Sequence, residues 1–150
     1  MKSVFLAKDV DEMLARINRL SADSKPLWGK MDAAKMFAHL NVQYEMAYSD
    51  EHPKAAGIKK FLLNLFVKNG VVGPKPYPKN SRTAPQFIIK SDKDFETEKT
   101  RLVDFIHKTQ KLGEDYFEGK ESNSFGVLTV KEWSNSFYKH NDHHLKQFGV

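Results

Sequence analysis

The chain has 150 residues, 24 Lys and Arg against 19 Asp and Glu, and no cysteine. That length suits one domain with one core, since chains divide only well beyond ~200 residues, and a 40% hydrophobic content rich in Phe, Leu and Val is that of a folded chain. Without cysteine there is no disulfide, thiolate ligand or cysteine nucleophile, so any transition-metal site must be built from imidazole and carboxylate.

The start, "MKSVFLAKDVDEML", lacks the apolar core of a signal peptide, and no run reaches the ~18 residues of a membrane span, so a cytoplasmic protein is expected. The net charge of +5 sits in the middle third, where no acid occurs from His52 to Ser91. Such a local field favours an anionic partner, whereas a merely solvated basic surface is the plainer alternative.

Val10, Met13, Leu14, Ile17 and Leu20 recur at helical spacing and predict a first helix over 9–21, with Asp9 and Glu12 as a capping box. Pro26 and Gly29 interrupt the pattern. Asp32 then caps a second helix reaching about Ser49, with Ala33, Met36, Phe37, Leu40, Tyr44 and Ala47 on one face. A shorter helix over roughly 55–69 contains "FLLNLFV", apolar nearly all round, and Gly70 is its expected stop. This segment is expected to pack against the rest of the protein rather than lie on a membrane, as core or as the interface of a homodimer.

The next twenty or so residues, "VVGPKPYPKNSRTAPQFIIKS", hold four of the six prolines and form a long loop of a kind that is usually functional or disordered. Ser91 opens a further helix to about Leu112, buried through Phe95, Leu102, Phe105, Ile106 and Thr109, with Gly113 ending it. Thr129 and Glu132 form a capping box for a last helix over 130–147. Four substantial helices, one short extra helix and no convincing strand make an all-α four-helix bundle, a single domain over 1–150.

Three of the six histidines lie in the terminal "YKHNDHHLKQFGV". With Trp133 at zero, ~100° per residue puts Phe137 near 40°, His140 near 340° and His144 near 20°, one stripe, with His143 near 280° on its flank and Asp142 opposite. An HxxxH pair is weak alone, since six histidines give about 0.2 such pairs by chance. Two imidazoles sharing an apolar face would nevertheless be poorly satisfied without something between them. On the second helix His39 borders the inward face and can supply a third imidazole; a core-edge histidine bonded to a carbonyl is the alternative. Gln43, one turn on, would orient a bound water or substrate. His52 and His107 are assigned to the surface.

One histidine on the second helix, HxxxH on the last and a long crossover between them resemble the DinB-like (YfiT-like) metalloenzyme superfamily. "PLWGKMDAAKMFAHL", "PKPYPKNSRTAP" and "FGVLTVKEWSNSFYKHNDHHLKQFGV" resemble one short, uncharacterised DinB-like domain-of-unknown-function subfamily over nearly the whole chain. The resemblance implies a four-helix bundle with a long crossover, and a divalent metal (nickel, zinc, iron or manganese) on His39, His140 and His144. Some such proteins transfer low-molecular-weight thiols such as bacillithiol or mycothiol, or isomerise maleylpyruvate; most have no assigned reaction.

Three neutral imidazoles leave coordination positions open for metal-assisted chemistry. A thiol would have to come from a cofactor, and Lys79, Asn80, Arg82 and Thr83 are the expected contacts for an anionic small molecule. Asn141 stands where HExxH places its glutamate, which argues against a zincin protease but leaves a hydrolase open. The rival reading is a non-enzymatic metal- or ligand-binding protein, with His143 as a closing fourth ligand. Nucleic-acid binding through residues 54–90 has no DNA-reading motif behind it.

Overall fold

The computed structural model describes residues 2–150 and is mostly helical. Its elements are α1 (Ala7–Asn18), α2 (Ala33–Tyr48), α3 (Gly57–Phe66), α4 (Lys68–Val72), α5 (Phe95–Phe117) and α6 (Val130–Gln147), with a 3₁₀ turn at Pro85–Phe87. A small antiparallel hairpin, β1 (Glu121–Ser122) and β2 (Gly126–Val127), pairs Glu121 with Val127 and Ser122 with Gly126. It lies where no strand was expected, because two-residue strands are too short to show alternation. Among the described residues no helix is long and apolar enough to cross a membrane.

Side-chain caps set the starts of α2, α5 and α6. The Asp32 carboxylate accepts from the Lys35 amide at 2.7 Å, starting α2, and Thr129 and Glu132 cap each other's amides at the start of α6. α5 begins later than Ser91 suggests, because Asp94 is the capping residue, accepting from the Thr97 amide. Gly113, at φ 70°, breaks α5 as its type predicts, but the helix resumes through Phe117. α1 starts at Ala7 without a side-chain cap, and the Asp9 carboxylate instead accepts from the Ser3 amide at 2.8 Å, so the expected capping box is not formed.

The buried hydrophobic side chains come mainly from α1, α2, α5 and α6. The face expected for α2 is buried throughout. α2 and α5 form the most extensive helix pair, with Phe37 against Phe95 at 5.3 Å between ring centroids and Tyr44 stacked between Phe105 and Phe137 at 5.5 and 4.7 Å. Burial of each such ring contributes roughly 1.5–3 kcal/mol. Asp142 is not on an outside face of α6 but in a half-buried ion pair with Arg16 of α1, 2.8 Å away. His52 is likewise drawn in from the surface, 2.8 Å from Glu45, whereas His107 is exposed.

The segment after α2 departs furthest from expectation. "FLLNLFV" does not pack into the core: α3 has no buried residue, and Ile58, Phe61, Leu65 and Phe66 point outward. The helix also ends at Val67 and restarts as α4, which runs through Gly70 and stops at Gly73. A Cβ at Gly73 would collide with the Asn69 carbonyl oxygen, so this glycine, not Gly70, permits the exit.

Candidate metal centre

His39 reaches inward from α2, and His140 and His144 do so from α6, one turn apart. All three are buried, and one ring nitrogen from each lies within 4.8 Å of the other two. The approach is closest between His39 and His140, whose Nε2 atoms are 2.9 Å apart.

The other nitrogen of each ring is already committed. His39 Nδ1 donates to the Phe87 carbonyl at 2.9 Å, His140 Nδ1 to Gln43 Oε1 at 2.8 Å and His144 Nδ1 to Gln147 Oε1 at 2.7 Å. Gln147 is itself oriented because its NH₂ donates at 2.7 Å to the Trp28 carbonyl, which can only accept. Gln43 donates to the Ser136 hydroxyl at 2.7 Å, turning its oxygen toward His140. Three Nδ1 protons thus facing oxygens leave three Nε2 lone pairs converging on one point. Two lone pairs at hydrogen-bond distance repel unless a cation lies between them.

Protonation is a poor source of that cation. Burial, reinforced by His39, pushes His144 down to about 3 against the Gln147 hydrogen bond. His140 is held well below the usual imidazole range by burial and then by His39, His144 and His143. Burial also lowers His39, opposed by the Phe87 carbonyl. Neutral imidazoles aligned by acceptors on their outer nitrogens are what a divalent transition metal requires, so this group could hold one. Among the described residues no fourth His, Asp or Glu joins them. Glu45, Glu51 and His52 also cluster, but Glu45 is engaged by Arg101 at 2.5 Å and by His52.

A cavity of about 400 Å³ opens over the three rings. Asn80, Arg82 and Thr83 from the proline-rich loop line it with His143, whereas Lys79 turns away, its Nζ 4.4 Å from the centroid of the Trp28 ring. His143 stands edge-on to Tyr77 and Trp28 at 5.6 and 5.9 Å, outside the convergent group. Burial lowers its pKa, with Asp142 opposing. Among the described residues no carboxylate lines this cavity.

Sequence reasoning identified the three imidazoles and placed Gln43 beside them, but in the role of orienting a bound water or substrate; in the structure Gln43 positions His140 instead. Gln147 was missed although it lies three residues after His144 on the same helix, a spacing that makes neighbours. Gly29, at φ 80°, belongs to the same device, since a Cβ there would come within 2.7 Å of the Gln147 amide nitrogen. Tyr77 lies on irregular backbone and Phe87 in the short 3₁₀ turn, so neither carries a periodic signal.

A sequence model of one family, described as protein of unknown function (DUF1569), matches residues 3–149, and the chain belongs to that family. No curated protein and no solved structure matches it.

Proposed function

We propose that this DUF1569 protein is a single-domain, cytoplasmic metal-dependent enzyme of DinB-like type that acts on a small anionic molecule, with a low-molecular-weight thiol as co-substrate. In this reading α1, α2, α5 and α6 are the four bundle helices, and the segment carrying α3, α4 and the proline-rich loop is the long crossover. The observation that carries the proposal is the convergence of three Nε2 lone pairs, each ring turned by an oxygen on its far nitrogen.

His39, His140 and His144 would hold nickel, zinc, iron or manganese, which supplies Lewis acidity and lowers the pKa of whatever it ligates. The Phe87 carbonyl, Gln43 and Gln147 keep the three rings in their tautomers. Arg82, a cationic side chain lining the cavity, attracts the anionic group, with Asn80 and Thr83 as hydrogen-bonding neighbours. His143, neutral near pH 7 because of its burial, is the group placed to take a proton on a free imidazole nitrogen. The polypeptide supplies no thiol of its own, so the nucleophile enters with the co-substrate.

Elemental analysis of the purified protein should find about one divalent transition metal per chain. His39→Ala, His140→Ala and His144→Ala should each lose it and His107→Ala should not; retention without His140 would sink the site. Enzyme and simple metal binder separate on the cobalt-substituted protein, whose visible spectrum should shift when 2-mercaptoethanol is added. An unchanged spectrum indicates a centre closed to ligands and therefore a non-enzymatic role.

A further inference from the structure

We propose that the cavity beneath α3 is a second subsite that receives an apolar chain or ring of the same molecule whose reacting group lies at the three histidines. This rests on the metal-centre reading and narrows its substrate to an amphipathic one, anionic at one end and apolar at the other.

The cavity has a volume of about 300 Å³, and its walls include Met46, Leu63, Pro85 and Phe125. Protein interiors leave few voids larger than a water molecule. An apolar cavity of ~150 Å³ stays dry and takes benzene, so one of this size has room for about two rings or a medium-length chain. α3 forms part of its roof without being packed into the core: Leu63 on the inner side is only half-buried. An apolar guest would give that side the contacts that the protein itself does not supply.

Four residues, Val67, Val71, Ala84 and Phe87, line both this cavity and the one over the histidines. Phe87 is the telling member. Its carbonyl holds His39, and its ring stands 5.3 Å from the His39 ring and 5.7 Å from the His140 ring, so one residue borders the apolar compartment and fixes a ligand. Among the described residues no acid lines either cavity; Arg82 stands beside the histidines, and Lys59 and His52 also line the mostly apolar second cavity.

Straight-chain carboxylates probe this directly. In calorimetric titrations of the zinc-loaded protein, octanoate should bind at least tenfold more tightly than butyrate. Leu63→Trp, which fills the cavity from a surface helix, should bring the two within about twofold while metal content stays at one per chain. Equal affinities in the unaltered protein would overturn the subsite. So would loss of the preference in Phe66→Ser with its retention in Leu63→Trp, which would place the chain on the outer side of α3. The chain-length preference should survive in metal-free His140→Ala at weaker overall affinity. Absence of metal with the preference intact therefore breaks only the metal reading, and metal without the preference breaks only the subsite.

Discussion

α3 and α6 invert the usual relation between sequence and burial. α3 is the more apolar helix, yet Ile58 is 78% exposed and Phe66 74%. α6, "VKEWSNSFYKHNDHHLKQ", is mostly polar, yet twelve of its eighteen residues are buried. The difference is one of partners. Asn135 donates to the Val72 carbonyl, Ser134 to the Ser3 hydroxyl, and Lys139 to the Gly70 and Gly73 carbonyls at 2.8 and 2.7 Å. Asn141 donates to the Tyr44 hydroxyl and to the Phe137 carbonyl, although its own oxygen is buried without a partner among the described residues. A polar group enters the interior when its hydrogen bonds are met there, and apolar surface stays outside when nothing covers it.

The sharpest way to break this contrast is at Lys139. Burial pushes its pKa down to about 8, and its Nζ stands 4.5 Å from the centroid of the Tyr77 ring, which lines the cavity over the three histidines. Lys139→Ala leaves two carbonyls of the α4 end without their donor and removes a buried stem, so denaturant unfolding should show a loss of about 3 kcal/mol. A change below about 0.5 kcal/mol would mean that α4 is held to α6 by apolar packing alone.

The histidines should reveal their burial through pH. In chelator-stripped protein they are depressed in the folded state, so the unfolded chain binds protons first, starting near pH 6.5. Their contribution is constant above that value and turns against folding as pH falls, for His144 down to about 3. Each depressed imidazole removes at most ~1.4 kcal/mol of stability per pH unit within its window. The melting temperature should therefore fall between pH 6.5 and 4.5, less steeply in His144→Asn. A flat melting temperature across that range would show that the imidazoles are not sequestered.

The same contrast explains what could be read from the sequence. α2, α5 and α6 announce themselves because their caps are side chains acting over three residues and their faces repeat at helical spacing. Helical phase put His140 and His144 on one stripe and His39 at the edge of an inward face, and the family resemblance joined the three. Gln147 was within reach of the same argument. α3 was not, because its apolar face of Ile58, Phe61, Leu62, Leu65 and Phe66 is turned outward, while Lys60 and Asn64 on its inner side are half-buried instead. Phe87 and Tyr77 were hidden because their positions depend on how a proline-rich loop crosses the molecule.

The smallest expected effect tests the exposed side of α3. If Phe61, Leu65 and Phe66 stand in water, replacing each singly with serine removes almost no buried area, and stability should move by no more than about 0.5 kcal/mol. A loss above about 2 kcal/mol in any of them would mean that α3 is covered in solution. Since burial of a large apolar side chain is worth roughly 1.5–3 kcal/mol, one substitution per position suffices to decide. If the loss grows with protein concentration, the cover is a second copy of the chain, because only association makes apparent stability depend on concentration. The outward stripe of α3 would then be the homodimer interface that its apolar sequence also allows.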